Sequence, residues 1–240
     1  SSERPDCVVG FSGGRDSAFG VHILKRTLRM NPLAYTYDWG MITDLARRNQ
    51  ARICGKLGIE QILVSADIIR KRQNIRRNVM AWLELPRLGT VPLFMAGDKQ
   101  YFYHAHRIQK SYGLEHLLFC ENLLETTKFK AGFSGVKPQN HSYTLDAHSK
   151  LKMLSFYLME VIRNPRYLNR SVVDTMLGYC SYYFLPHKYL NLYDFIGWDE
   201  SEIENTLLTD YNWEIAPDTS TTWRIGDGTA AFYNYIYYTM

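Results

Sequence analysis

The stretch Cys7-Val8-Val9-Gly10-Phe11-Ser12-Gly13-Gly14-Arg15-Asp16-Ser17 constrains this chain more than any other. Its apolar start predicts a buried parallel strand, a small glycine-rich turn follows, and the spacing from Ser17 to about Met30 predicts a helix. That order aims backbone N–H groups and a helix N-terminus at one spot, where an anion is stabilised. Gly13 and Gly14 allow a tight turn and leave no side chain between backbone and anion. Ser12 and Ser17 add hydroxyl donors, and Ser17 also suits an N-cap. A turn that merely caps a helix needs only part of this set; the full order favours phosphate binding. The loop is not Walker A, which ends Gly-Lys-Ser/Thr, and it is not G-x-G-x-x-G.

Further along, 32–38 and 61–65 read as strands on either side of a helix from Thr43 to Leu57, which Gly58 stops. This β-α-β-α-β order predicts an α/β fold with a doubly wound, mostly parallel sheet. In such sheets ligands bind beyond the carboxyl ends of the strands. That rule sets residues 12–17, Tyr37-Asp38 and Ser65-Ala66-Asp67 along one rim. A helix from Lys99 to Tyr112 leads to a strand His116–Cys120, and Glu121-Asn122 ends it at the same rim. A helix over Ile68–Leu85 carries Arg70, Lys71, Arg72, Arg76 and Arg77, read as a solvated basic face in preference to an RNA contact. His104 and His106 do not share a helix face, which argues against a metal pair. Residues 125–143, small, polar and glycine-rich, read as a mobile loop. From Asp146 the chain is mostly helical, with Leu151, Leu154, Leu158, Val161 and Ile162 as an expected core stripe. Asp199 and Glu202 form a capping box opening a helix to about Asp210. The expected organisation is an α/β domain over 1–135 and a helical region over 136–240.

With 240 residues and 46% hydrophobic content the chain is long enough to bury a sizeable core. No run approaches a membrane span and the first residues lack a signal-peptide pattern, so no membrane partner is expected. The four cysteines include no C-x-x-C pair and each sits in an apolar stretch. They read as buried reduced thiols in a cytoplasmic protein, not as disulfides or a zinc cluster. A net charge of +4 suits an enzyme handling polyanionic nucleotides and does not by itself call for nucleic acid. Both ends are abrupt, as expected of a segment of a longer chain.

Ser12-Gly13-Gly14-Arg15-Asp16-Ser17 resembles the SGGxDS signature of the PP-loop, or N-type ATP pyrophosphatase, superfamily. Three further stretches, Tyr35–Trp39, Glu125–Gly135 and Thr222–Gly228, resemble its N-acetyl sugar amidotransferase branch, found in lipopolysaccharide and surface-polysaccharide biosynthesis. The resemblance implies an adenine nucleotide alpha hydrolase-like fold and an ATP-dependent ligase that releases pyrophosphate. ATP would activate the amide oxygen of a nucleotide-linked N-acetyl sugar for attack by ammonia. Residue 1 is Ser and Cys7 lies in a strand, so ammonia would come from solution, a missing segment or, as the resemblance implies, a separate glutaminase subunit. A metal-binding module common at the start of the family has no counterpart here.

Carried over, the resemblance sets the pyrophosphate site on Ser12, Gly13, Gly14, Asp16 and Ser17, with Arg15 facing the same anion or solvent. Mg²⁺ would take oxygens of Asp16 and Glu121; for Asp16 the plainer role is a partner for the helix dipole. Lys99, Lys128, Lys130 and Arg224 are cationic candidates, and Lys128 and Arg224 stand out because each lies in a glycine-containing polar loop. Tyr37 and Asp38 are candidates for adenine or ribose, or a plain strand-end cap. Glu125, Lys130, Gly132 and Asp227 fall in the substrate-side loops. The rival readings are a tRNA-modifying or asparagine-synthetase-like enzyme adenylating another carbonyl, a sulfur-mobilising enzyme, and a non-catalytic nucleotide-binding subunit of a glutaminase complex.

Overall fold

The computed structural model describes residues 4–95, 97–122, 132–136, 145–185, 188–223 and 225–240. The chain divides into two compact units, neither continuous in sequence: Ser1–Ala66 with His104–Glu125 and Lys188–Met240, and Asp67–Tyr103 with Thr126–His187. The expected boundary at residue 135 falls within the second unit.

The first unit is built on a five-stranded, all-parallel sheet of order β3-β2-β1-β4-β5. Its strands are β1 (Cys7–Gly10), β2 (Pro32–Asp38), β3 (Gln61–Ser65), β4 (His116–Phe119) and β5 (Leu190–Asn191). Val9 pairs with Ala34 on one side and Leu118 on the other, so β1 is central. Each residue of β2 is buried, as a strand flanked on both sides in a parallel sheet should be. Pro32 occupies its first position, where a missing N–H removes no interior ladder bond. The chain winds outward through β2 and β3, then returns to the far side of β1 with β4. Such a reversal opens a crevice at the carboxyl ends of β1 and β4.

Helix α1 (Arg15–His22) begins two residues earlier than expected, and a π-helical turn over Ile23–Thr27 completes the segment. Ser17 therefore lies inside the first turn, and Gly14 is the N-cap. Helix α2 (Asp44–Leu57) starts where the Thr43 hydroxyl accepts the Ala46 N–H at 3.1 Å, and it stops at left-handed Gly58. Val9, Phe11, Ala18, Phe19, Val21, Leu24, Ile53 and Leu57 form the core with Ile203, Leu207 and Trp213. The last three belong to the C-terminal part, where helix α7 (Glu200–Tyr211) has its N-terminal N–H groups capped by Asp199.

The second unit is helical and unusual in what it buries. Helix α3 (Ile68–Glu84) turns Lys71, Asn74 and Asn78 inward. Helix α5 (Ala147–Arg163) buries Met153 and Glu160, and helix α6 (Ser171–Tyr183) buries Ser171, Asp174, Gly178 and Ser181. Most of these polar groups are paired, Glu160 with Arg87 and Arg163. Lys71 Nζ lies 3.1 Å from Asp174, Asn74 donates to Asp174 at 2.9 Å, and Asn164 donates to the Ala81 carbonyl at 2.7 Å. Lys71 thus leaves the basic face, while Arg70, Arg72, Arg76 and Arg77 remain exposed.

The expected core stripe on α5 does not form. Leu151, Leu154, Leu158 and Ile162 are exposed, because Met153 with Tyr157 takes the inward face against Val136, Leu145, Tyr179 and Tyr183. Two further α-helices are α4 (Tyr101–Tyr112) and α8 (Ala230–Thr239). Among the described residues no helix is long and apolar enough to cross a membrane.

Cys7, Cys54 and Cys120 are buried, but Cys180 is exposed on α6, against expectation. Burial pushes the Cys7 thiol up to about 12 and the Cys54 thiol up to about 11, and it raises Cys120 as well. One thiol, Cys180, is therefore expected to react rapidly with a maleimide at pH 8, and the other three only after unfolding. Mass mapping of the label checks this; fast labelling of Cys120 in the folded protein would contradict it.

Candidate functional site

The turn after β1 is held from three sides. The Phe11 N–H donates to the Tyr35 carbonyl at 2.7 Å, and the Phe11 carbonyl accepts the Thr36 hydroxyl at 2.5 Å. At Gly13 the backbone is left-handed (φ +83°), and a Cβ would stand 2.7 Å from the Ala46 carbonyl oxygen and 2.8 Å from Gln50 Cγ. Glycine is thus required there both by conformation and by the closeness of α2. The loop hydroxyls close a ring: the Gly14 N–H donates to Ser12 Oγ (3.2 Å), Ser12 Oγ lies 3.0 Å from Ser17 Oγ, and Ser17 donates to the Gly14 carbonyl (3.1 Å). Three donors thus turn toward one another at the start of α1, where the first N–H groups of a helix lack intrahelical partners. An anion arriving at this point meets hydroxyls and amides already gathered.

Asp16 is fixed by donors from three distant segments. Its Oδ2 accepts the Asn122 amide at 2.6 Å; its Oδ1 accepts the Trp198 indole N–H at 3.0 Å and Arg15 Nε at 3.3 Å. Tyr193 donates to its backbone carbonyl at 2.8 Å. The carboxylate is therefore preorganised at the crevice between β1 and β4. Asn122 and Trp198 are the functional residues that motif reading missed. Asn122 follows Glu121 at the rim, a signal that was present; Trp198 sits 182 positions away in sequence and gave none.

Arg15 does not stand free in the loop. Its side chain is 2% exposed, and Nη1 contacts Glu200 and donates to Thr222 Oγ1 at 2.9 Å. The guanidinium carbon lies over the Trp198 ring at 5.3 Å and over the Trp223 ring at 5.0 Å. Thr222 in turn donates to Glu204.

The segment after Trp223 folds back on the same loop. The Thr43 hydroxyl donates to the Ile225 carbonyl at 3.1 Å, the Thr43 N–H to the Gly226 carbonyl at 3.2 Å, and the Gly228 N–H to the Met41 carbonyl at 2.8 Å. A Cβ on Gly226 would lie 3.5 Å from the Gly14 nitrogen, so this turn passes directly beside the candidate anion site. Asp227 accepts both the N–H and the hydroxyl of Thr229, at 2.9 and 2.7 Å, and shapes the turn.

The remaining candidates divide. Asp38 is fully buried, accepts the Gly40 N–H at 2.9 Å and pairs with Arg47 at 2.5 Å, so it serves as the strand-end cap. Tyr37 is buried and stacks on His104 with ring centroids 5.0 Å apart. Glu121 has its backbone N–H and carbonyl bound to Asn191, at 2.9 and 3.0 Å, which joins the ends of β4 and β5. Gly132 belongs to the second unit, in a turn closed by the Gly135 N–H. Glu125, Lys128, Lys130 and Arg224 lie outside the described residues. Lys99, in the second unit, lies over the rings of Tyr101 and Tyr182.

These residues fit a nucleotide phosphate with a magnesium ion. The anion site is a backbone cradle with hydroxyls, its turn held by left-handed Gly13 where a Cβ would strike α2. Asp16 and Glu121 both lie near Cys120, whose thiol burial raises first and their charges raise further. Among the described residues no group of three His, Cys, Asp or Glu side chains could hold a metal ion. One or two carboxylates completed by phosphate oxygens is the donor set magnesium accepts, so Asp16 and Glu121 would hold it.

No protein-family model and no curated protein matches the sequence. Solved structures similar to this chain include a predicted subunit of tRNA methyltransferase from Methanocaldococcus jannaschii, at 14% identity and TM-score 0.37, covering 84% of this chain and 73% of that one. The NH3-dependent NAD synthetase from Campylobacter jejuni matches at 14% identity and TM-score 0.36, over 75% of this chain and 87% of that one. NMN synthetase from Francisella tularensis matches at 12% identity and TM-score 0.37, over 96% and 86%. Identities and scores this low transfer no activity to the chain.

Proposed function

We propose that this chain is an ATP-dependent ligase of the PP-loop kind that adenylates the amide oxygen of a nucleotide-linked N-acetyl sugar for attack by ammonia. The observation that carries the ATP half is the loop Ser12–Ser17, with left-handed Gly13 pressed on α2 and its hydroxyls gathered at the carboxyl end of β1. The sugar half rests on the resemblance of Tyr35–Trp39, Glu125–Gly135 and Thr222–Gly228 to the amidotransferase branch.

In the first step the amide oxygen attacks the α-phosphorus, an O–P bond forms, and the bond to the β-phosphate bridging oxygen breaks. Pyrophosphate leaves. In the second, ammonia adds to the activated carbon, AMP departs with the former amide oxygen, and loss of a proton gives the acetamidino sugar. Ser12, Ser17 and the Gly13–Gly14 backbone bind the phosphates being displaced, and Asp16 stays oriented by Asn122 and Trp198 throughout. A magnesium ion, when bound, neutralises charge on the phosphate oxygens. A separate glutaminase is the proposed ammonia source.

Pyrophosphate release that requires both a UDP-linked N-acetyl sugar and ammonium is the expected result. A second reading, adenylation of a tRNA base, draws on the exposed Arg70, Arg72, Arg76 and Arg77 of α3. Release triggered by tRNA, and not by sugar plus ammonium, would favour it and overturn the first.

A further inference from the structure

We propose that Arg15 is a positioning residue that docks Thr222 and Trp223, and through them the Ile225–Gly228 turn, beside the phosphate loop. It is not a phosphate ligand. The proposal rests on the ATP-using reading and departs from the role the motif suggests for this position.

Charge argues first. Asp16 Oδ1, Glu200 Oε1 and Glu204 Oε1 all lie within 4.0 Å of the guanidinium nitrogens, so the cluster of one cation and three carboxylates is net anionic. A phosphate gains little from a cation already enclosed by three carboxylates. Access argues second, because the side chain is 2% exposed. Two of its three nitrogens are also committed: Nε serves Asp16, and Nη1 serves Glu200 and Thr222. Nη2 is buried with no hydrogen-bond partner, an arrangement tolerated where the aromatic faces of Trp198 and Trp223 receive the cation.

What Arg15 touches explains what it does. One guanidinium joins the first turn of α1, the first turn of α7 and Trp223. The turn that follows Trp223 brings Gly226 beside the Gly14 nitrogen. Lysine has a compact charge without the planar fork and cannot reproduce these contacts.

The test compares ATP affinity by equilibrium dialysis with AMP formation at saturating ATP, sugar amide and ammonium. For Arg15→Met, Arg15→Lys and Trp223→Ala, turnover should fall about 10- to 100-fold, the scale of a small misplacement at a reacting centre. ATP affinity should change by less than about 3-fold, because the Gly13–Gly14 backbone cradle is intact. Trp223→Phe keeps an aromatic face and should stay near wild type. Arg15→Met combined with Trp223→Ala should be no worse than the poorer single variant. A loss of ATP affinity of about 30-fold or more in Arg15→Met, absent in Trp223→Ala and restored by Arg15→Lys, would overturn the proposal and make Arg15 a phosphate ligand.

If Arg15→Met fails to fold, the two Trp223 variants carry the same split between affinity and turnover. If the wild-type chain forms no AMP, the ligase reading fails separately. The docking is then judged by urea unfolding of Arg15→Lys, Trp223→Ala and their combination, where energies that simply add would overturn it.

Discussion

Asp16→Asn should lower AMP formation by about 100-fold or more, the scale of losing one preorganised electrostatic contact. The carboxylate accepts from Asn122, Trp198 and Arg15 at 2.6, 3.0 and 3.3 Å, an environment of donors only. An asparagine amide presents one oxygen and one NH₂ group, so one of those donors then faces another donor unless Asn122 turns its amide over. Its charge against Arg15 is lost in either case. The fold should lose roughly 1–3 kcal/mol, the cost of one unsatisfied or weakened buried polar contact. The urea midpoint would then drop with an unchanged m-value. Near-wild-type turnover in this variant would remove Asp16 from the reaction.

Gly13→Ala should be strongly damaging to both stability and binding. The new Cβ would stand 2.7 Å from a backbone oxygen of α2, which cannot move without shifting the helix, and φ is +83°. The left-handed cost of about 1–2 kcal/mol adds to about 1–3 kcal/mol of overpacking. Melting should fall by about 2–4 °C for each kcal/mol, and nucleotide binding should be lost. Gly14→Ala is the internal control. Its backbone is extended (φ −74°, ψ 167°) and its nearest neighbour is the rotatable Ser12 hydroxyl at 3.3 Å. That variant should melt near wild type and lose affinity for nucleotide alone. Equal melting temperatures for the two variants would contradict the different roles assigned to these glycines.

Much of the sheet was legible because its strands are apolar runs ended by turn residues. The segments 32–38 and 61–65 match β2 and β3 at both ends. Strand β5 is two residues long, too short to show a period, and exists because Leu118 and Phe119 offer an edge to Leu190 and Asn191. The run Leu88–Met95 forms a buried 3₁₀ helix interrupted by Pro92, a shape that hydropathy alone does not distinguish. Apolar periodicity failed in the second unit for a physical reason. Lys71 and Asn74 pair with Asp174 inside, and buried Glu160 pairs with Arg87 and Arg163, so apolar spacing no longer marks the buried face.

At the site the loop was legible and its surroundings were not. Ser12, Gly13, Gly14 and Ser17 are neighbours in sequence, so their chemistry shows as a motif. Apart from each other, the partners of Asp16 and Arg15 lie 106 or more positions away and come together only through the strand reversal and the packing of α7 on α1. No spacing rule reaches that far. Arg15 shows the consequence: in a glycine loop an arginine suggests an anion, yet three carboxylates and two indoles already surround it.

The central claim is that this loop splits ATP between the α- and β-phosphates so that an acceptor oxygen joins the adenylyl group. It is tested most directly with a UDP-linked N-acetyl sugar carrying ¹⁸O in the acetamido carbonyl, incubated with ATP, magnesium and ammonium. The products should be AMP and pyrophosphate in equal amounts, with the ¹⁸O in AMP and none in pyrophosphate. ADP with ¹⁸O in inorganic phosphate, or AMP free of the label, would contradict it.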